Sequence, residues 1–152
     1  MRKRNFAGLF IALAPVFHDG GFDMNQKAQG IEGHVYRVSG NQMPSPDKKP
    51  TKPKGIKTTV YIYNLTNLDQ TTREGQSAFY SAIKTKLVKK VRSDANGYFK
   101  VKLSPGEYSL FTKKDSLFYA NTFDGKNNIA PVQVSPQNFA KVEIKMDYDA
   151  HY

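Results

Sequence analysis

The sequence predicts one all-β domain, a single β-sandwich of about seven antiparallel or mixed strands with two long surface loops. Three observations support this fold class. Short segments rich in β-branched and aromatic residues alternate apolar with polar positions, turns with Gly, Pro, Asn or Asp separate them, and no long amphipathic helix pattern occurs. The 152 residues suit one domain, and 39% hydrophobic with 24% charged residues is the composition of a folded chain.

The first 28 residues are expected to lie outside the sandwich. Three basic residues precede an apolar run from 6 to 17, which is typical of an export signal and too short for a bilayer span of about 20 residues. A buried strand or a short helix is the alternative for this run. The polar segment that follows is typical of a flexible tether. We therefore expect residues 1–28 to be signal peptide and tether, residues 29–152 to be the domain, and the protein to be periplasmic or extracellular.

The candidate strands follow one another along the domain. They are predicted at residues 30–38, 56–65, 86–93, 98–103, 108–112, 116–123, 130–134 and 140–148. In the second of them Val60 and Ile62 alternate with Tyr61 and Tyr63, so both tyrosines are expected on the outer face. Tight turns join the third, fourth and fifth strands, and these three are expected to form a β-meander.

Two long connections interrupt the strands. The segment 39–55 contains four prolines and several lysines, which exclude a core strand and indicate a surface loop. The segment 66–85 is the second connection, in which a short helix around 68–73 is expected. Within it Phe79, Tyr80 and Ile83 are predicted to hold the segment against the body of the domain.

The net charge of +10 raises the question of a nucleic-acid partner. Three of the positive charges belong to the predicted signal, and many of the lysines alternate with apolar residues, which places them on the solvent face of half-buried strands. We therefore expect no nucleic acid as a partner, and contact with a membrane that is peripheral at most. The absence of Cys excludes disulfides, thiolate metal sites and a Cys nucleophile.

The segment 91–112, VRSDANGYFKVKLSPGEYSLFT, resembles the carboxypeptidase regulatory-like domains, which are small β-sandwiches of prealbumin-like (transthyretin-like) topology. The matching positions are Asp94, Gly97, Phe99, Val101, Leu103, Pro105, Gly106, Tyr108 and Leu110. The opening strand of that family appears as Ile31 to Val35. Leu103 stands closer to the Pro-Gly pair than in many members, and both long connections exceed the usual size. The resemblance covers about half of the chain.

This resemblance implies a fold and an accessory role. In carboxypeptidases the domain lies beside a catalytic zinc domain, which has no counterpart here, and in envelope proteins it serves as a spacer or docking module. The pattern Gly-Asn-Gln-Met-Pro at 40–44 also resembles a group of stand-alone exported bacterial proteins. The expected function is therefore non-enzymatic, in protein–protein interaction or envelope assembly. The partner would be an envelope or extracellular protein, contacted through the loops 39–55 and 118–128.

Other functions stay open as alternatives. A carbohydrate-binding module would use outward tyrosines, for which the candidates are Tyr36, Tyr61, Tyr63 and Tyr98, with Phe118 and Tyr119 near a loop. A transthyretin-like hydrolase is less favoured, because the C-terminal Tyr-Arg-Gly-Ser of that family is replaced by Asp-Tyr-Asp-Ala-His-Tyr.

Metal sites are weaker alternatives still. A zinc site would need two of His18, His34 and His151 to converge with a carboxylate. A calcium site would use oxygen ligands from residues 123–128 together with Asp147 and Asp149. Neither spacing matches a known motif, so the sequence predicts no catalytic residue, no cofactor and no metal ligand.

Overall fold

A computed structural model describes residues 28–49 and 52–152. The predicted signal peptide, most of the tether and His18 lie outside these residues. Within them the strands are β1 Gly30–Asn41, β2 Lys54–Gly55, β3 Thr59–Asn64, β4 Thr71–Arg73, β5 Phe79–Ile83, β6 Leu87–Arg92, β7 Tyr98–Lys102, β8 Gly106–Lys114, β9 Leu117–Tyr119, β10 Pro131–Val134 and β11 Phe139–His151. A 3-10 turn at Leu68–Gln70 lies between β3 and β4. The described chain is therefore all-β, as predicted.

Two sheets pack together into a sandwich. In the first sheet β1 is central, parallel to β11 on one side and antiparallel to β2 and β7 on the other. The second sheet has the order β4-β5-β9-β8-β3-β6, and β10 pairs with β8. The predicted sandwich is confirmed, whereas the prealbumin-like topology stays a prediction.

The main core lies between the two sheets. Apolar residues of β1 and β7 face those of β3 and β8, and this core includes Ile31, Val35, Val60, Ile62, Phe99, Val101 and Leu110. Those of β1, β3 and β7 occupy the positions at which the period-two alternation predicts inward side chains. The sequence pattern therefore predicted the inner faces of these three strands correctly.

The predicted meander is wrong, because β6, β7 and β8 alternate between the sheets. β6 and β8 both pair with β3, whereas β7 pairs with β1. The turn before β7 explains the crossing. The Asp94 side chain accepts hydrogen bonds from the Asn96 and Tyr98 N–H groups, and the Gly97 carbonyl accepts one from the Val35 N–H at 2.8 Å. The turn is thus bonded to β1 in the opposite sheet.

The predicted exposure of Tyr61 and Tyr63 is also wrong. Both side chains do lie opposite the main core, but the connection 66–85 and the segment 120–130 cover that face. The covered residues form a second apolar cluster, which contains Tyr63, Tyr80, Phe111, Ala120 and Ile129. Tyr63 is 8% exposed and Tyr80 is fully buried. The predicted attachment of the connection to the body is therefore confirmed, and it removes the expected outer strip of tyrosines.

The long connections are more ordered than predicted. β1 extends to Asn41 and β2 occupies Lys54–Gly55, so both ends of the expected loop 39–55 are strands. The connection 66–85 contains β4 and β5, with a 3-10 turn in place of the expected helix. Tyr119, expected near a loop, belongs to β9 and is 2% exposed. The exposed loop that follows β9 therefore begins after Tyr119.

Candidate interaction surface at the edge of strand β11

The two histidines of the candidate zinc or hydrolase site lie far apart. His34 pairs with Glu143, while His151 pairs with Asn41 at the other end of the same ladder. Seven residues of extended β1 separate the two positions, which corresponds to about 23 Å. No group of three His, Cys, Asp or Glu side chains that could hold a metal ion occurs within residues 28–49 and 52–152.

The candidate calcium ligands are engaged in other contacts. Asp124 closes its own turn by accepting hydrogen bonds from the N–H groups of Lys126 and Asn128 and from the Asn128 side chain. The Asn128 side chain is the main cause of the lowered pKa of Asp124. Asp149 pairs with Arg37 at 2.7 Å, and this hydrogen bond lowers the pKa of its carboxyl. These contacts account for both carboxylates without an ion.

A cleft of about 460 Å³ opens between β11 and the second sheet. Its apolar lining includes Leu110, Ala120, Ala130, Val132, Val142 and Ile144. Polar residues complete the lining, namely Asn121, Thr122, Glu143, Lys145 and Asp147. A volume of a few hundred Å³ is in the range that is typical of binding sites. The cleft is therefore the first candidate for a functional surface in the described chain.

The backbone of β11 forms one side of this cleft. Among the described strands β11 pairs with β1 alone. The Gly30 N–H donates to the Asn138 carbonyl at 3.1 Å, so the even-numbered residues that follow Asn138 direct their backbone groups toward β1. The N–H and C=O groups of Lys141, Glu143 and Lys145 therefore project from the opposite edge.

The inward side chains of β11 are incompletely covered. Val142 and Ile144 pack against the main core but are only half-buried, whereas Ile31 and Val35 on neighbouring β1 are fully buried. The difference arises because β1 has a described strand on both sides and β11 on one. The core thus continues to an open edge at which apolar side chains still contact solvent.

A polar cluster closes one end of the cleft. The Asp147 carboxylate accepts hydrogen bonds from the Tyr119 hydroxyl, from Asn121 Nδ2 at 2.8 Å and from the Tyr152 hydroxyl at 3.1 Å. Burial raises the pKa of Asp147, but these hydrogen bonds outweigh it and the pKa lies below its usual range. Burial, followed by the bond to Asp147, raises the pKa of Tyr119. The cluster is thus an ionised carboxylate held by two neutral phenols and an amide.

The outer face of the first sheet carries a cluster of aromatic residues, in which Tyr98 is exposed and His34 and Tyr36 are half-buried. His34 stacks on Tyr36 with ring centroids 5.7 Å apart, and Tyr98 lies 5.4 Å from His34. The Tyr98 hydroxyl donates to Glu32 at 3.1 Å. A shallow depression of about 400 Å³ adjoins His34 and Tyr98. Of the four candidate sugar-binding tyrosines, the structure brings Tyr36 and Tyr98 together and separates them from Tyr61 and Tyr63.

Comparison of the chain with family models, curated proteins and solved structures gives no significant match in any of the three. In the part of the chain that the structure describes, no helix has the length and apolar character needed to cross a bilayer. The candidate surface therefore depends on its geometry alone. Sequence reasoning missed the cleft, because the alternation of residues 140–146 shows which side chains point inward but not which strand lies next to them.

Proposed function

We propose that the chain is a non-enzymatic, exported binding module that recognises an envelope or extracellular protein, and that the cleft beside β11 is its binding surface. The observation that carries this proposal is the half-burial of Val142 and Ile144 at the open edge of the main core. Exposed contiguous apolar surface bordered by polar groups is typical of protein contact sites. The resemblance to carboxypeptidase regulatory-like domains, which dock or space other domains, supports the same role.

The chemistry of the cleft favours binding over catalysis. Its ionisable cluster joins Asp147 to Tyr119, Asn121 and Tyr152, and these partners hold the carboxylate in its charged form. A general base needs a pKa near the working pH and a nucleophile within reach. A lowered carboxyl pKa beside a phenol with a raised pKa supplies neither, so this cluster fits a role in fixing the C-terminal strand.

The test is selection of ligands from an unbiased peptide display library on the full chain, followed by affinity measurements on two variants. Ile144→Gln places an amide at the mouth of the cleft. Pro44→Ala/Pro46→Ala alters the loop between β1 and β2 and leaves the cleft intact. We expect Ile144→Gln to weaken the selected ligands at least about 10-fold and the loop variant to leave them unchanged. The circular dichroism spectra of both variants should match that of the parent.

Two results would contradict the proposal. Ligands that are lost with the loop variant and retained by Ile144→Gln would move the binding surface to the loop 39–55. If neither Ile144→Gln nor the loop variant weakens any selected ligand, or if no ligand is selected, protein binding at both surfaces is refuted.

A second candidate function is carbohydrate binding at the outer face of the first sheet. The observation that favours it is the cluster of His34, Tyr36 and Tyr98 beside the 400 Å³ depression, since exposed aromatic rings stack on sugars. A glycan array with the parent chain and with Tyr98→Ala tests it. Glycan binding that Tyr98→Ala abolishes would support this function, and the absence of any bound glycan would remove it.

A further inference from the structure

We propose that the partner binds by strand addition: an extended segment of another protein pairs with the open edge of β11. The segment carries apolar residues at alternate positions and an acidic, a basic and an acidic residue at the positions between them. This inference rests on the proposed function and deepens it by specifying the mode of binding and the chemistry of the ligand.

The first step is the backbone. Lys141, Glu143 and Lys145 direct their N–H and C=O groups away from β1, as the bond from Gly30 to Asn138 establishes. An added strand at the usual spacing of about 4.8 Å would pair with these groups in a regular ladder. Recognition of this kind takes its affinity from main-chain hydrogen bonds and its specificity from alternate side chains.

The second step is the cleft. An added strand directs every second side chain to the same side as Val142 and Ile144, which is the side of the cleft. The inserted side chains would meet the apolar wall formed by Leu110, Ala130 and Val132 of the second sheet. They would thereby complete the burial of the core at its open edge, so the matching residues of the ligand are apolar.

The third step is charge. The intervening side chains of β11 are exposed and read Lys141, Glu143, Lys145 along the edge. Residues directly opposite on neighbouring strands lie close enough for opposite charges to attract and like charges to repel. The complementary outward sequence is therefore acidic, basic, acidic. Because this order is the same in both directions, it applies to a parallel or an antiparallel ligand.

The test measures the affinity of three short peptides for the full chain by titration calorimetry. The first has Glu, Lys and Glu at alternate positions with Val between them, the second has Lys, Glu and Lys instead, and the third has Glu at all three. We expect the first to bind at least about 10-fold more tightly than the second, from three paired charges. Glu143→Lys should weaken the first peptide and strengthen the third.

Two substitutions of Glu143 distinguish the contribution of its backbone N–H to peptide binding from that of its side-chain charge. Glu143→Pro removes an outward N–H and leaves the ladder to β1 intact, so it should abolish binding of all three peptides. Glu143→Gln keeps that N–H and removes the charge, so it should retain binding with a smaller difference between the first two peptides. Hydrogen exchange of the Lys141, Glu143 and Lys145 amides should be fast in the free chain and slow with the first peptide.

The outcomes distinguish this inference from the proposed function. Equal binding of the first two peptides, lost with Glu143→Pro, would overturn the charge pattern and leave protein binding standing. Library ligands that depend on Ile144 but not on the N–H of residue 143 would overturn strand addition alone. Slow exchange at the β11 edge in the free monomer would show that the chain's own N-terminal residues occupy it. A dimer that Glu143→Pro dissociates would assign the edge to a second copy, and either result would overturn the inference.

Discussion

Removal of the hydroxyl oxygen should change the free energy of unfolding in opposite directions at two buried tyrosines, Tyr80 and Tyr119. Tyr80 is fully buried in the second cluster, and its hydroxyl has no hydrogen-bond partner among the described residues. Tyr119 is 2% exposed, and its hydroxyl donates to the Asp147 carboxylate. Substitution by Phe removes one oxygen in each case and keeps the ring.

The expected magnitudes follow from these partners. An unsatisfied buried hydroxyl costs about 1–3 kcal/mol, so Tyr80→Phe should raise the free energy of unfolding by roughly 1 kcal/mol after the small loss of packing. A hydrogen bond to a charged group contributes about 1.5–3 kcal/mol, so Tyr119→Phe should lower the free energy of unfolding by about 2 kcal/mol. The two variants should therefore differ by about 3 kcal/mol.

Urea unfolding at pH 7, followed by circular dichroism, measures both changes. In thermal unfolding a change of 1 kcal/mol corresponds to a shift of about 4 °C for a domain of this size. A loss of stability above about 1 kcal/mol in Tyr80→Phe would refute the reasoning, because it would mean that the hydroxyl is satisfied in the native state. An unchanged free energy of unfolding in Tyr119→Phe would show that the hydrogen bond from Tyr119 to Asp147 contributes nothing to stability.

Three further predictions concern close contacts, pH and a second buried hydroxyl. Gly33→Ala should destabilise the chain by more than about 2 kcal/mol, because a Cβ at this position would lie 2.0 Å from the Val142 carbonyl oxygen. Gly125→Ala is its control in the same urea titration, because no atom of the described residues lies within 4 Å of a Cβ at that position. Asp147→Asn should be less stable than the parent at pH 7. Since the pKa of Asp147 is lowered in the fold, the ionised carboxylate stabilises the fold fully above its unfolded pKa of about 3.9. In urea titrations the difference should shrink as the pH falls below that value, and it should vanish once the pH passes the lower pKa of the folded state. Thr112→Val should be neutral or stabilising in thermal unfolding, because the buried Thr112 hydroxyl has no partner among the described residues.

Local pattern predicted most of the strands, though not β2, β4 and β5, and it did not predict which strands are neighbours. Alternation placed Val60 and Ile62 inward and Tyr61 and Tyr63 on the opposite face, and the structure has them so. Whether that opposite face meets water depends on where the segments 66–85 and 120–130 fold, and no periodicity within β3 encodes their position. The same limit explains why the predicted meander is wrong. A tight turn at 94–97 is compatible both with a hairpin and with a crossing between the two sheets.

At the candidate site, sequence alternation likewise does not predict whether a strand is central or lies at an edge. Val142 and Ile144 carry the same sequence signal as Ile31 and Val35, namely an apolar residue at every second position. The first pair is half-buried and the second fully buried because one strand is an edge and the other is central. Edge status follows from the order of strands in the sheet, which is set by contacts between residues far apart in the chain.

Two of the edge strands of the sandwich, β6 and β11, differ in their length and in the charges that they carry. Proteins protect edge strands with short length, charged side chains and irregularities. β6, at one end of the second sheet, is exposed along nearly its whole length and carries Lys89, Lys90 and Arg92. β11 runs for 13 residues and, over residues 140–146, keeps apolar side chains on its inner face and charges of both signs on its outer face. Charges of a single sign repel any strand that carries the same charge. Charges of alternating sign attract a strand with the complementary charge order and repel a strand in which every sign is inverted. The edge of β11 thus combines apolar with alternately charged side chains, whereas the charges on β6 are all positive.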